Sequence, residues 1–137
     1  MKLQRMNGKR IMLLQNLSRL RRTPILRNLV KETNLSVDDL IRPIFVTHHN
    51  KCLEIESMPG QFHYPLDEIE KIIEETIQLG INGIILFGIP AVKDEMATDT
   101  INENGIIQRA VRKIRKSFSE IIIITDVCFC QYTTHGH

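Results

Sequence analysis

Tryptophan is absent, and two tyrosines and five phenylalanines are all the aromatic bulk in 137 residues. Isoleucine and leucine must therefore fill any core. No uncharged apolar stretch reaches the roughly 18 residues that a membrane span needs. The N-terminus, from Met1 to Arg10, has neither an apolar signal core nor a small-residue cleavage site. Secretion is thereby disfavoured, and a cytoplasmic location (or an organelle lumen, if the source has one) is expected. Cysteine is scarce too: Cys52, Cys128 and Cys130. An odd count with two thiols in C-x-C spacing is no secreted disulfide framework, so reduced thiols available to a metal are the better reading. Acidic residues are missing from one whole region. Positions 1–31 hold nine of the 18 basic residues and none of the 16 acidic ones.

What is present is a chain of ordinary domain size with 42% hydrophobic residues, enough for a packed core. A basic arm over residues 1–22 precedes a mildly acidic body over 23–137. The arm sets Ile11, Met12, Leu13, Leu14, Leu17 and Leu20 among its bases, with only a loose helical period. It carries no nucleic-acid motif and no aromatic between its bases, so nucleic acid is not the expected partner. An extension that docks on an acidic neighbouring subunit fits better.

The body alternates in type. Thr23-Pro24 reads as an N-cap followed by proline at the first helical position. Ile25, Leu26, Leu29 and Val30 should bury one face of that helix. Ser36-Val37-Asp38-Asp39 offers a second cap. Ile41 to Val46 is a strand, with Pro43 at its start or at an edge. Residues 47–65 read as a loop with a turn at Pro59-Gly60. The loop carries His48, His49, Cys52 and His63; the pair His48-His49 could ligate a metal but reads as solvated, and Cys52 as an isolated thiol. Pro65 opens a helix whose stripe is Leu66, Ile69, Ile72, Ile73, Thr76 and Ile77, and Gly80 stops it. Gly83 to Gly88 is a strand buried on both faces. A polar loop over 89–104 carries Lys93, Asp94 and Glu95, read as a solvated cluster. Gly105 to Phe118 is the third helix, and Ile121 to Ile124 a buried strand. Strand, helix, strand, helix, strand is parallel α/β architecture with right-handed crossovers. Three strands make the first part of a barrel or of a doubly wound sheet.

The chemistry gathers after the last strand, in Asp126-Val-Cys-Phe-Cys-Gln-Tyr-Thr-Thr-His-Gly-His137. Active groups of parallel α/β proteins collect at the C-terminal ends of strands. Asp126, Cys128 and Cys130 share parity, so on extended chain they point to one face. Two thiolates and a carboxylate suit a soft Lewis-acid metal, zinc above all. Further ligands must come from elsewhere, and His135 and His137 are within reach.

This stretch closely resembles the zinc-binding segment of the porphobilinogen synthase (δ-aminolevulinic acid dehydratase) family, Asp-Val-Cys-x-Cys-x-Tyr-Thr-Ser-His-Gly-His-Cys-Gly. Other pieces agree in order: Arg21-Arg22-Thr-Pro24, Leu29 to Thr33, Leu35 to Val46, Glu56-Ser-Met-Pro-Gly60, Phe87-Gly-Ile-Pro90, Lys93-Asp94 and Asn104 to Ala110. The resemblance covers about residues 19–137. It implies the first three strands and associated helices of a (β/α)8 TIM barrel. It also implies an arm that embraces a neighbour in a homo-oligomer, typically an octamer. The implied reaction condenses two molecules of 5-aminolevulinate to porphobilinogen with loss of two waters, in tetrapyrrole synthesis. Zinc would sit on three cysteines, of which Cys128 and Cys130 match two; the third would follow His137. A second ion, Mg2+, would act allosterically. Asp126 matches an aspartate that orients or deprotonates a substrate amine. The two imine-forming lysines belong to later strands, so the 137 residues are expected to be a truncated, inactive portion. The alternative is a non-catalytic remnant that binds metal weakly or docks on intact subunits.

Overall fold

The computed structural model describes residues 5–6, 9–10 and 17–136. The chain divides into two compact units, Met1–Leu35 and Ser36–His137. In the first, β1 (Arg5–Met6) pairs antiparallel with β2 (Lys9–Arg10). A 3-10 turn over Leu17–Arg21 leads to α1 (Pro24–Leu29). The Thr23 hydroxyl accepts from the Leu26 amide at 3.2 Å, the expected N-cap. The expected buried face is not found. Ile25 and Leu29 are each 79% exposed, because six residues make less than two turns and too short a stripe to bury. Much of the arm expected over 1–22 lies outside the described residues.

The second unit starts at a capping box. Ser36 Oγ accepts from the Asp38 amide at 3.3 Å, and the Asp39 carboxylate accepts from the Ser36 amide at 2.8 Å. A five-stranded sheet follows, in the order β4-β5-β3-β6-β7. Its spine is β3 (Ile41–Thr47) beside β6 (Gly83–Ile89), parallel and in register from Ile41 opposite Gly83 to Thr47 opposite Ile89. On the far side of β6 lies β7 (Ile122–Thr125), also parallel. On the far side of β3 lies β5 (Phe62–Pro65), parallel, with β4 (Leu53–Glu54) antiparallel to it.

The loop expected over 47–65 is therefore corrected: it contains the β4–β5 hairpin. Strands of two and four residues are too short to show a period. Their connection is tied by Ile55 N–H to Gln61 O at 2.8 Å, and by the Gly60 amide to Glu54 Oε1 at 3.0 Å. β5 pairs with β3 only from Phe45 onward, so Pro43 has a strand on one side only, in keeping with its missing donor.

Helices α2 (Ile69–Gln78) and α3 (Ile106–Ser117) cover one face of the sheet. Even-numbered Ile44, Val46, Ile84 and Leu86 point into that layer and meet Ile69, Ile73, Ile106, Ala110 and Ile114, all buried. On the opposite face the Phe45 and Phe87 rings stack with centroids 5.2 Å apart, both half-buried. The burial expected on both faces of β6 thus holds on one and is partial on the other. A Schellman motif closes α2: Gly80 N–H to Ile77 O at 2.8 Å and Ile81 N–H to Thr76 O at 3.2 Å, with Gly80 at φ +80°. The buried strand expected at Ile121–Ile124 is also corrected. Ile121 is buried, but Ile122 is 62% exposed, since among the described residues β6 is the only strand beside β7. No helix among the described residues is long and apolar enough to cross a membrane.

Candidate metal-binding rim

β6 and β7 run in the same direction and release their chains at one rim of the sheet. Beyond Thr125 the backbone leaves strand geometry. The Asp126 amide reaches back to Leu86 O at 3.5 Å. Four residues on, a turn forms as the Tyr132 and Thr133 amides donate to Phe129 O at 2.9 and 3.1 Å. This turn brings the Cys128 and Cys130 sulfurs 2.7 Å apart. Parity on extended chain was the route expected to gather Asp126, Cys128 and Cys130; the two sulfurs instead approach where the chain has left strand geometry. Asp126 lines a cavity of about 230 Å3 together with Thr100, Gln108, Cys128 and Tyr132, at the same rim. Among the described residues no group of three or more His, Cys, Asp or Glu is assembled to hold a metal. His135 is exposed, with its Nδ1 3.1 Å from Gly136 O. His137 lies outside the described residues.

Electrostatics at the rim disfavour further negative charge. The Cys130 thiol is pushed above its ordinary value, first by its hydrogen bond with Cys128, then by burial, with the negative charges of Cys128 and Asp126 adding. Tyr132 is pushed up as well, chiefly by burial and then by Asp99 and Asp126. A cation placed among these groups reverses both tendencies.

The remaining sequence candidates fall elsewhere. Cys52 and His49 are exposed, and the His63 and Phe45 rings pack in a T-shaped pair with centroids 6.2 Å apart. His48 borders a second cavity, of about 520 Å3, with Asp94, Asp99 and Asn102. Asp94 is more than a solvated charge. Its carboxylate accepts from the Met96 and Thr98 amides at 2.9 and 3.0 Å, and its backbone bridges to the thiol-bearing segment. The first contact was open to sequence reading, since an aspartate bonding an amide two residues on is a common turn device.

The model of the family described as delta-aminolevulinic acid dehydratase matches residues 14–137. The chain belongs to the delta-aminolevulinic acid dehydratase family. A member from Halalkalibacterium halodurans is 44% identical over 120 residues, 87% of this chain and 37% of that protein. One from Archaeoglobus fulgidus is 47% identical over 113 residues, 82% of this chain and 35% of that protein. One from Ruminiclostridium josui is 42% identical over 120 residues, 87% of this chain and 58% of that protein. The chain thus spans between about a third and three-fifths of these dehydratases. The fold agrees with a solved structure of the dehydratase (porphobilinogen synthase) from Toxoplasma gondii ME49 in complex with the reaction product porphobilinogen. The TM-score is 0.79 and the identity 29%, over 98% of this chain and 40% of that one. The α/β class expected from the alternation of elements is the class found.

Proposed function

We propose that this chain forms the zinc-binding part of a porphobilinogen synthase, which condenses two molecules of 5-aminolevulinate to porphobilinogen with loss of two waters. The observation that carries this reading is the convergence of the Cys128 and Cys130 sulfurs, 2.7 Å apart, at the C-terminal rim beside β6 and β7. Thiolates are the donors zinc prefers. With Zn–S near 2.3 Å, two sulfurs on a tetrahedral ion stand about 3.8 Å apart. The pair must therefore open by roughly 1 Å, a movement that falls to Cys128, which lies ahead of the 130–133 turn and outside regular secondary structure. Other ligands must join them, because the described residues bring no third donor into the group. A bound zinc supplies Lewis-acid polarisation of an oxygen atom. Asp126, on the cavity wall, is placed to accept a hydrogen bond from a substrate ammonium or to take its proton. Tyr132, with its pKa raised, stays a hydroxyl donor at neutral pH.

No lysine of this chain is assigned to imine formation. Lys93 is exposed, and an imine-forming amine needs a desolvated, lowered pKa. We assign the basic arm to contact with another copy in a homo-oligomer, the whole to a (β/α)8 barrel, and the site of action to the cytoplasm. A regulatory Mg2+ belongs to the same reading.

The test is metal titration of the purified 137-residue chain with cobalt(II), followed by cobalt–thiolate absorption, together with an assay for porphobilinogen. Binding is expected in the native chain and in Cys52→Ser, and is lost in Cys128→Ser and in Cys130→Ser. No porphobilinogen is expected. Unchanged binding in both rim variants overturns the thiol site; product formation overturns the absence of an imine-forming lysine.

A further inference from the structure

We propose that Asp94 and Gly88 are positioning residues for the Cys128–Cys130 pair, together clamping the segment that carries the thiols; this rests on reading the pair as metal ligands. After Thr125 that segment belongs to no strand among the described residues. Two features hold its far end. The first is a backbone bridge: the Asp94 amide donates to Tyr132 O at 3.1 Å, and the Thr134 amide donates to Asp94 O at 3.2 Å. The second is a seat: the Tyr132 hydroxyl lies so close to Gly88 that a Cβ there would stand 2.5 Å from it. The turn at Cys130 to Thr133 is therefore fixed from the loop after β6 and from β6 itself.

The Asp94 side chain makes the bridge possible. Ala97 has φ +52°, the left-handed region that a residue with a Cβ rarely adopts. On either side of it the Met96 and Thr98 amides donate to Asp94 Oδ1, at 2.9 and 3.0 Å. One carboxylate oxygen thus holds the strained turn closed and keeps the Asp94 backbone facing Tyr132 and Thr134. Oδ2 adds only a longer contact to Thr98, at 3.3 Å. An asparagine keeps the working acceptor; an alanine keeps none.

The experiment compares the native 137-residue chain with Asp94→Ala, Asp94→Asn and Gly88→Ala. It reads amide hydrogen exchange over peptides spanning 126–134, and cobalt(II) affinity. In Asp94→Ala, exchange over 126–134 is expected to quicken about tenfold, with peptides from β3 and α2 unchanged. Cobalt affinity is expected to fall roughly 10- to 100-fold, the usual cost of losing a group that orients a ligand. Asp94→Asn should restore both to near native, which a general loss of loop packing would not allow. Gly88→Ala should reproduce both changes without touching the 94–98 turn. Unchanged exchange over 126–134 in Asp94→Ala overturns the clamp, as does an Asp94→Asn chain no better than alanine. If Gly88→Ala fails to fold, the Asp94 pair still decides. A native chain that binds no cobalt overturns the metal reading alone, and the exchange result judges the clamp independently.

Discussion

The Tyr132 hydroxyl rests against Gly88 at a separation that leaves no room for a methyl group. A Cβ at position 88 would lie 2.5 Å from that oxygen, 2.7 Å from Ile107 Cγ1 and 2.9 Å from Ile106 Cγ2. Gly88→Ala must therefore push against two isoleucines and the tyrosine. A loss of about 1–3 kcal/mol is expected, as for other overpacked sites. Urea unfolding checks it. Adding Tyr132→Phe, which deletes the closest oxygen, should recover part of the loss.

Burial separates two isoleucines that look alike in the sequence. Ile84 is fully buried between the sheet and its helices, whereas Ile122 is 62% exposed on β7. Ile84→Ala should cost about 2–5 kcal/mol. Ile122→Ala should stay within about 0.5 kcal/mol. Equal losses in urea unfolding would contradict the edge position of β7.

Gly80 sits at φ +80° with Val37 Cγ1 3.4 Å from where a Cβ would be. The space is adequate, so the cost of Gly80→Ala comes from the backbone conformation, roughly 1–2 kcal/mol. An asparagine, which tolerates this region better, should cost less. Thermal melts of the two variants decide it.

Two surface carboxylates contribute to the acid limb of stability. Glu70 is held below its ordinary value first by the Ser117 hydroxyl and then by Lys113 and Lys116. Asp94 is held low by the Thr98 amide first, with Met96 and Ala97 adding. A carboxylate whose value is lower in the folded chain stabilises the fold above its unfolded value. That contribution disappears as pH falls through the folded value. Stability should thus be level above the ordinary carboxylate range, near pH 4, and decline below it. Urea midpoints across this range test the sign. Glu70→Gln should flatten the decline.

The longer elements were legible because their residues repeat. The Ile69, Ile72, Ile73 and Thr76 stripe marks α2, and the capped ends at Thr23, Ser36 and Gly80 are chemical signals that local structure must obey. The β4–β5 hairpin was not legible, since so few residues show no period. The exposure of Ile25 and Ile122 depends on which neighbours stand beside them, which composition does not record. At the rim the thiols meet through the Phe129 turn and not along a strand, which residue types and parity do not record. Gly88 and Tyr132 are far apart in the chain, so their contact follows from topology alone.

The bridge between Asp94 and Thr133 spans the whole crossover from β6 through α3 to β7. Closing it carries a loop entropy that is recovered only after α3 has docked and β7 has paired. The thiol turn should therefore be among the last parts to form during folding. Metal added early to a refolding chain meets mobile cysteines, and metal added late meets an ordered pair. The order of addition, not only the concentration, should govern how fast the rim captures its ion.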